Sequence, residues 1–93
     1  MTLYYPPADD NVFNGKKLAQ IVQKHLINTL KTNDWGIIPR PGLVVLRQTQ
    51  MPAVIAELGY MTNKSELQLL VTDDFQEKAA QALHSAIMEA LQQ

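Results

Sequence analysis

The sequence predicts an α/β fold, in the form of a partial three-layer sandwich with the order strand, helix, strand, strand, helix, helix. Two observations carry that reading. Short β-rich apolar runs are interspersed with stretches whose apolar residues recur at helical spacing. Two of the runs are continuous rather than alternating, which suits strands covered on both faces of a mostly parallel sheet. With 93 residues, 46% hydrophobic and 18% charged, the chain is globular in composition and holds one domain at most.

Each element has a local reason. Thr2, Leu3, Tyr4 and Tyr5 read as a short β segment, stopped by Pro6-Pro7, neither of which can donate to a ladder. Asn14 offers an N-cap, and Leu18, Ile21, Val22, Leu26 and Leu30 then form one apolar stripe of a helix. Turn-formers end that pattern near Thr32-Asn33. Trp35 to Gly42 reads as a loop directed by Pro39 and Pro41. Leu43 to Leu46 and Ala53 to Ala56 are the two continuous strands, separated by the turn residues Gln48 to Pro52. Asn63 and Glu66 have capping-box spacing for a short helix through Leu70. Asp73 and Gln76 repeat the spacing and open a last helix, with Phe75, Ala79, Ala82, Leu83, Ala86 and Ile87 on its apolar face.

Three strands are fewer than the about four to six of a usual sheet. Open strand edges are templates for pairing with another chain. Residues 1–93 therefore read as part of a domain, able to self-associate or to dock on a complementary half.

Charge and composition remove several functions. A formal charge of −1 from eight basic and nine acidic residues gives no concentrated positive face for nucleic acid or a membrane surface. The longest apolar runs are far too short to span a bilayer. Residues 1–20 lack the apolar block of a signal peptide, so any export signal is expected on sequence outside these residues. The absence of cysteine excludes disulfides, thiolate metal sites and a cysteine nucleophile. No internal repeat is present.

Glu57 is the unusual placement. It directly follows four apolar residues, at the carboxyl end of a strand that reads as buried, where open α/β sheets bind ligands. A partly desolvated carboxylate there suits general acid or base work, and a solvated charge at a strand end is the competing reading. Arg47 ends the preceding strand, so the two tips are candidate neighbours; it either neutralises a local carboxylate or orients a substrate group bidentately. His25 lies in the apolar stripe of the first helix and His84 on the less apolar side of the last. Neither has a second ligand at helical spacing, so no metal site is expected in this chain. Tyr4, Tyr5, Trp35 and Tyr60 are scattered and read as packing rather than as a stacking platform. There is no phosphate-binding glycine loop and no nucleophile elbow, and Ser65 and Ser85 lack a partnered base.

The run from Leu46-Arg47 through Met51-Pro52, Ala53 to Ala56 and then Glu57-Leu58-Gly59-Tyr60-Met61-Thr62-Asn63 closely resembles the zinc-dependent N-acetylmuramoyl-L-alanine amidases. That family carries a Met-Pro-apolar run followed by Glu-x-Gly-aromatic-x-Ser/Thr-Asn. Tyr4-Tyr5 resembles the family's strand after the last zinc histidine, and Leu18-Ala19 a helix that commonly reads Ser-x-x-Leu-Ala, with Gly15 here at the serine position. The segments Asn63 to Leu70 and Phe75 to Ala82 are similar to the final helices. The likeness covers nearly the whole chain.

The resemblance implies a cell-wall hydrolase acting on peptidoglycan outside the cytoplasm, in the cell wall or periplasm, with Glu57 as its proton-transfer residue. It implies zinc in the intact domain, held by two histidines and a glutamate in segments resembling Asp-Pro-Gly-His-Gly-Gly and Ser-Ile-His-x-Asn. Neither segment occurs in this sequence, and His25 and His84 match no ligand position. The helical insertion of some division-associated members is also absent. What remains resembles the second half of an amidase domain. Alone it is expected neither to hold catalytic zinc nor to cleave peptidoglycan.

Overall fold

A computed structural model describes residues 1–31, 33–58 and 68–93. The elements are β1 (Thr2–Tyr4), α1 (Gly15–Leu30), β2 (Ile37–Pro39), α2 (Val44–Arg47), β3 (Val54–Ala56) and α3 (Asp73–Ala90). The sheet order is β2-β1-β3. β1 pairs with β2 in parallel, Thr2 opposite Ile37 and Tyr4 opposite Pro39. It pairs with β3 antiparallel, Thr2 opposite Ala56 and Tyr4 opposite Val54.

The α/β class and the number of strands agree with the sequence reading, but one strand is a different segment. Leu43 to Leu46 is not a strand. The amides of Leu46 and Arg47 both bond back to the Leu43 carbonyl, and that of Gln48 to Val44, which makes a turn of helix. Only Leu46 of this run is buried, while Val44 and Val45 face solvent. β-branched residues favour a strand only where a neighbouring strand accepts them, and here β1 takes its partner from the expected loop instead. Ile37–Pro39 fills that edge, and the Arg40 amide extends the pairing to the Tyr4 carbonyl at 2.8 Å. With Arg40 donating inward, the nitrogen of Pro39 faces away from β1, where no strand among the described residues needs its N–H. The sheet is accordingly mixed, with one parallel and one antiparallel pair, rather than mostly parallel.

The helices follow local rules. The Asn14 side chain accepts from the Lys17 amide at 3.0 Å and donates to the carbonyls of Asp9 and Val12, so it caps α1 and closes the preceding loop. Helix α1 ends at Leu30, slightly before the expected stop, because Lys31 adopts a left-handed conformation with φ 57° and its amide closes on Ile27. The N-cap of α3 is Thr72, one residue before the expected Asp73. Its hydroxyl accepts from the Phe75 amide, and Asp73 and Asp74 sit favourably in the first turn. Residues 68–70 are helical, whereas the Asn63 cap lies outside the described residues.

One core joins these parts. Ile21, Val22 and Leu26 of α1 pack against Ala82 and Ala86 of α3, with Val54, Ala56 and Leu58 closing from the sheet. Alanines on the inner face of α3 let the helix axes approach closely, since helix separation depends on side-chain size at the contact. Ile87, expected on this face, is 55% exposed and points away from it.

Two outcomes check this account by thermal or urea unfolding. Leu26→Ala should destabilise the chain by about 2–5 kcal/mol, as for other buried leucines. Lys31→Gly should stabilise it by about 1 kcal/mol, because glycine carries no Cβ penalty at a left-handed cap.

Candidate functional site

Because β3 runs antiparallel to β1, its carboxyl end meets the amino end of β1. Glu57 therefore stands beside Met1 and Thr2. Its amide donates to the Met1 carbonyl at 2.8 Å, and its carbonyl accepts from the Met1 amino group at 2.9 Å. These bonds extend the ladder by one pair and fix both the amide and the carbonyl of Glu57 to β1. The side chain is exposed, and among the described residues its carboxylate has no hydrogen bond or ion pair. Among the described residues β3 pairs only with β1 and its three residues are half-buried, so the side chain that follows stands exposed.

A polar ring lies immediately beneath this point. The buried Thr2 hydroxyl donates to Gln23 Oε1 at 2.9 Å. Gln23 Nε2 donates to Asp34 Oδ1 at 2.9 Å, and the same oxygen accepts from the Gly36 amide at 2.8 Å. The Gly36 carbonyl then accepts from the Thr2 amide at 3.1 Å. The hydrogen bond from Gln23, followed by that from Gly36, holds the Asp34 carboxyl below its ordinary range. Burial pulls the Met1 ammonium below its usual value, while the Glu57 and Asp34 carboxylates, both near enough to act on it, oppose the shift. Glu57 and Asp34 thus flank one point at the tip of the sheet. The ring gave no motif signal. A glutamine beside Val22 in the apolar stripe was the only trace of it in the sequence.

Arg47 is elsewhere. It follows Leu46 at the end of α2 and lines an open groove of about 440 Å³ with Tyr5, Phe13, Gln50 and Met51. This groove adjoins the Tyr4–Val54 end of the sheet, so Arg47 and Glu57 lie at opposite ends of the β1–β3 pair and are not neighbouring tips. The correction follows from α2, because a helical turn does not deliver its last residue to the sheet tip reached by β3. The described aromatics are likewise divided. Tyr4 is buried, Tyr5 opens onto the groove, and Trp35 adjoins Gly36 at the Thr2 end. Tyr60 and Ser65 lie outside the described residues.

His25 Nε2 is 2.9 Å from Glu89 Oε1, and Lys24 Nζ meets both Glu89 oxygens at 2.8 and 2.9 Å. These contacts join α1 to the end of α3, and the hydrogen bonds from Lys24 and then His25 hold the Glu89 carboxyl low. His84 is exposed on α3. Among the described residues no group of three or more His, Cys, Asp or Glu could hold a metal ion. The described residues do not fit the zinc site that the family resemblance implies. No helix among them is long and apolar enough to cross a membrane.

The family model for N-acetylmuramoyl-L-alanine amidase matches residues 1–89. An uncharacterized cell wall amidase of Bacillus anthracis is 35% identical over 92 residues, covering 95% of this chain and 17% of that protein. The crystal structure of N-acetylmuramoyl-L-alanine amidase from Clostridium difficile 630 superimposes with a TM-score of 0.88 at 32% identity, over 98% of this chain and 47% of that one. The catalytic domain of CwlV, an N-acetylmuramoyl-L-alanine amidase from Bacillus (Paenibacillus) polymyxa, gives a TM-score of 0.85 at 33% identity over the same shares. The chain thus spans a little under half of each solved structure.

The Asp34 geometry makes a pH prediction. A carboxyl whose pKa is lower folded than unfolded adds stability above the unfolded value, and loses it as pH falls through the folded value. Acid unfolding curves taken between about pH 5 and pH 2 should therefore be shallower for Asp34→Asn than for the wild type, since the amide still accepts from Gln23 and Gly36 but does not titrate.

Proposed function

This chain belongs to the N-acetylmuramoyl-L-alanine amidase family, and from that premise we propose that it is the part of a cell-wall amidase domain that contributes the proton-transfer carboxylate, Glu57. The carrying observation is a carboxylate that is exposed and unpaired among the described residues, on a backbone held by two ladder bonds. Such a group is free to exchange protons while its position is set by the sheet. The substrate is peptidoglycan, and the bond cut is the amide between N-acetylmuramic acid and L-alanine. Glu57 takes a proton from the attacking water and returns it to the leaving nitrogen, so that water adds to the carbonyl and the C–N bond breaks. The site of action is the cell wall or its surroundings outside the cytoplasm, in keeping with the cell wall amidase among its relatives.

Zinc is a property of the family, and this chain's described residues provide no cradle for it. Metal binding therefore falls to other polypeptide, and these residues contribute proton transfer and the framework that holds it. Arg47 retains a lesser role as a substrate-orienting residue. From its groove it would meet a part of the glycan or peptide away from the bond that is cut.

A second reading is favoured by the sheet edge. The described residues hydrogen-bond β3 only on its β1 side, which suits pairing with a complementary half or with a second copy of the chain. Sedimentation over a concentration series separates these. A monomer at every concentration excludes the second copy.

The proposal is tested in a chimera in which this chain replaces the matching half of the Clostridium difficile amidase. Glu57→Gln should lower turnover on purified peptidoglycan by about 10²–10⁴-fold, the usual contribution of general acid–base catalysis, with bound zinc unchanged. An active variant, or one that has lost its zinc, would count against the assignment.

A further inference from the structure

We infer that Gln23 is a positioning residue for Glu57, acting through the buried Thr2 hydroxyl to fix the tip of the β1–β3 ladder. This rests on the reading of Glu57 as the proton-transfer group and adds to it the means by which the carboxylate is aimed.

The argument begins with a residue in an unexpected place. Gln23 projects from the buried side of α1, 6% exposed, beside Val22 and close to Leu26. Thr2, its partner, is wholly buried. Replacing a hydrogen-bonded buried polar pair by apolar residues of similar shape is often neutral for stability. Core stability alone therefore gives no reason for this pair. What a satisfied polar network adds is a single permitted arrangement, because each donor faces one acceptor.

Here the arrangement is directional. The Asp34 carboxylate only accepts, so the Gln23 amide must turn its Nε2 toward it and its Oε1 toward Thr2. The Thr2 hydroxyl is thereby committed to donate to α1, and its backbone amide to Gly36. Thr2 is the ladder partner of Ala56, and the next pair outward is Met1 with Glu57. Helix α1, the loop at Asp34–Gly36 and the two strands meet at one residue, next to the carboxylate. No comparable side-chain ring lies beneath the Tyr4 end among the described residues.

The test has two parts. In the 93-residue chain, amide hydrogen exchange is followed by nuclear magnetic resonance at Glu57, Thr2 and Ala86. Gln23→Leu should speed exchange at Glu57 by about tenfold or more while leaving Ala86 in the helical core unchanged, since local opening is independent of global unfolding. Thr2→Ser keeps the hydroxyl and should keep Glu57 protected, whereas Thr2→Val keeps the shape and should expose it. Unchanged Glu57 exchange in both Gln23→Leu and Thr2→Val overturns the inference, as does equal acceleration by Thr2→Ser and Thr2→Val.

In the chimera, Gln23→Leu should lower kcat about tenfold at unchanged KM, because misplacing a reacting group affects the chemical step rather than binding. Thr2→Ser should retain kcat and Thr2→Val should lose it. Full kcat in Gln23→Leu beside an inactive Glu57→Gln overturns the positioning role alone. An active Glu57→Gln overturns the reading of Glu57, and the positioning role falls with it.

Discussion

The structure depends on a three-residue strand that has no free edge. β1 gives one side of its backbone to β2 and the other to β3, and α1 covers one face of the three strands. A buried strand this short is held only if its amides and carbonyls are paired, because an unpaired backbone group away from water costs as much as a lost hydrogen bond. Pairing is continued just past the strand limits by Arg40 to Tyr4 at one end and by Glu57 with Met1 at the other. Those outer bonds settle where the flanking segments lie. The location of Glu57 is therefore a consequence of strand register before it is a matter of chemistry.

Antiparallel pairing also changes what the end of a strand means. In a parallel sheet all carboxyl ends lie together, and ligand sites gather there. In this mixed sheet Glu57 is at the carboxyl end of β3 but at the amino end of β1 and β2. The opposite end carries Arg47, Tyr5 and the open groove. The two tips differ in character. One holds a side-chain hydrogen-bond ring with two carboxylates close by, and the other a mainly apolar hollow bounded by prolines and aromatics.

Helix α3 stabilises this sheet from behind α1 rather than by direct pairing. At the joint its buried residues are Ala82 and Ala86, and most of the apolar volume there comes from Ile21, Val22 and Leu26. The contacts of Lys24 and His25 with Glu89 decorate the joint at its solvent edge. Exposed ion pairs of this kind add little to stability, so the helix pair is held by burial rather than by charge.

Long local patterns were legible in the sequence. The stripe of α1 and the Asn14 cap lie within a few residues of one another, and the stripe of α3 starts within one residue of its expected cap, so their signals survive without a fold around them. The same holds for the Glu57 motif, a contiguous run of residue types. The ring of Thr2, Gln23 and Asp34 was not legible, because its members are separated along the chain and meet only when α1 lies on the sheet. Two of the four short elements were misread for a related reason, while β1 and β3 were placed as expected. Ile37–Pro39 and Val44–Arg47 are too short to show a period, and which of them pairs with β1 is decided by the partner strand rather than by propensity. The sequence alone determined two helices, a β-rich centre and a carboxylate of interest. Tertiary structure alone decided which segment completes the sheet, which way β3 runs and which end of it Glu57 occupies, because strand pairing is a contact between distant residues and leaves no local trace.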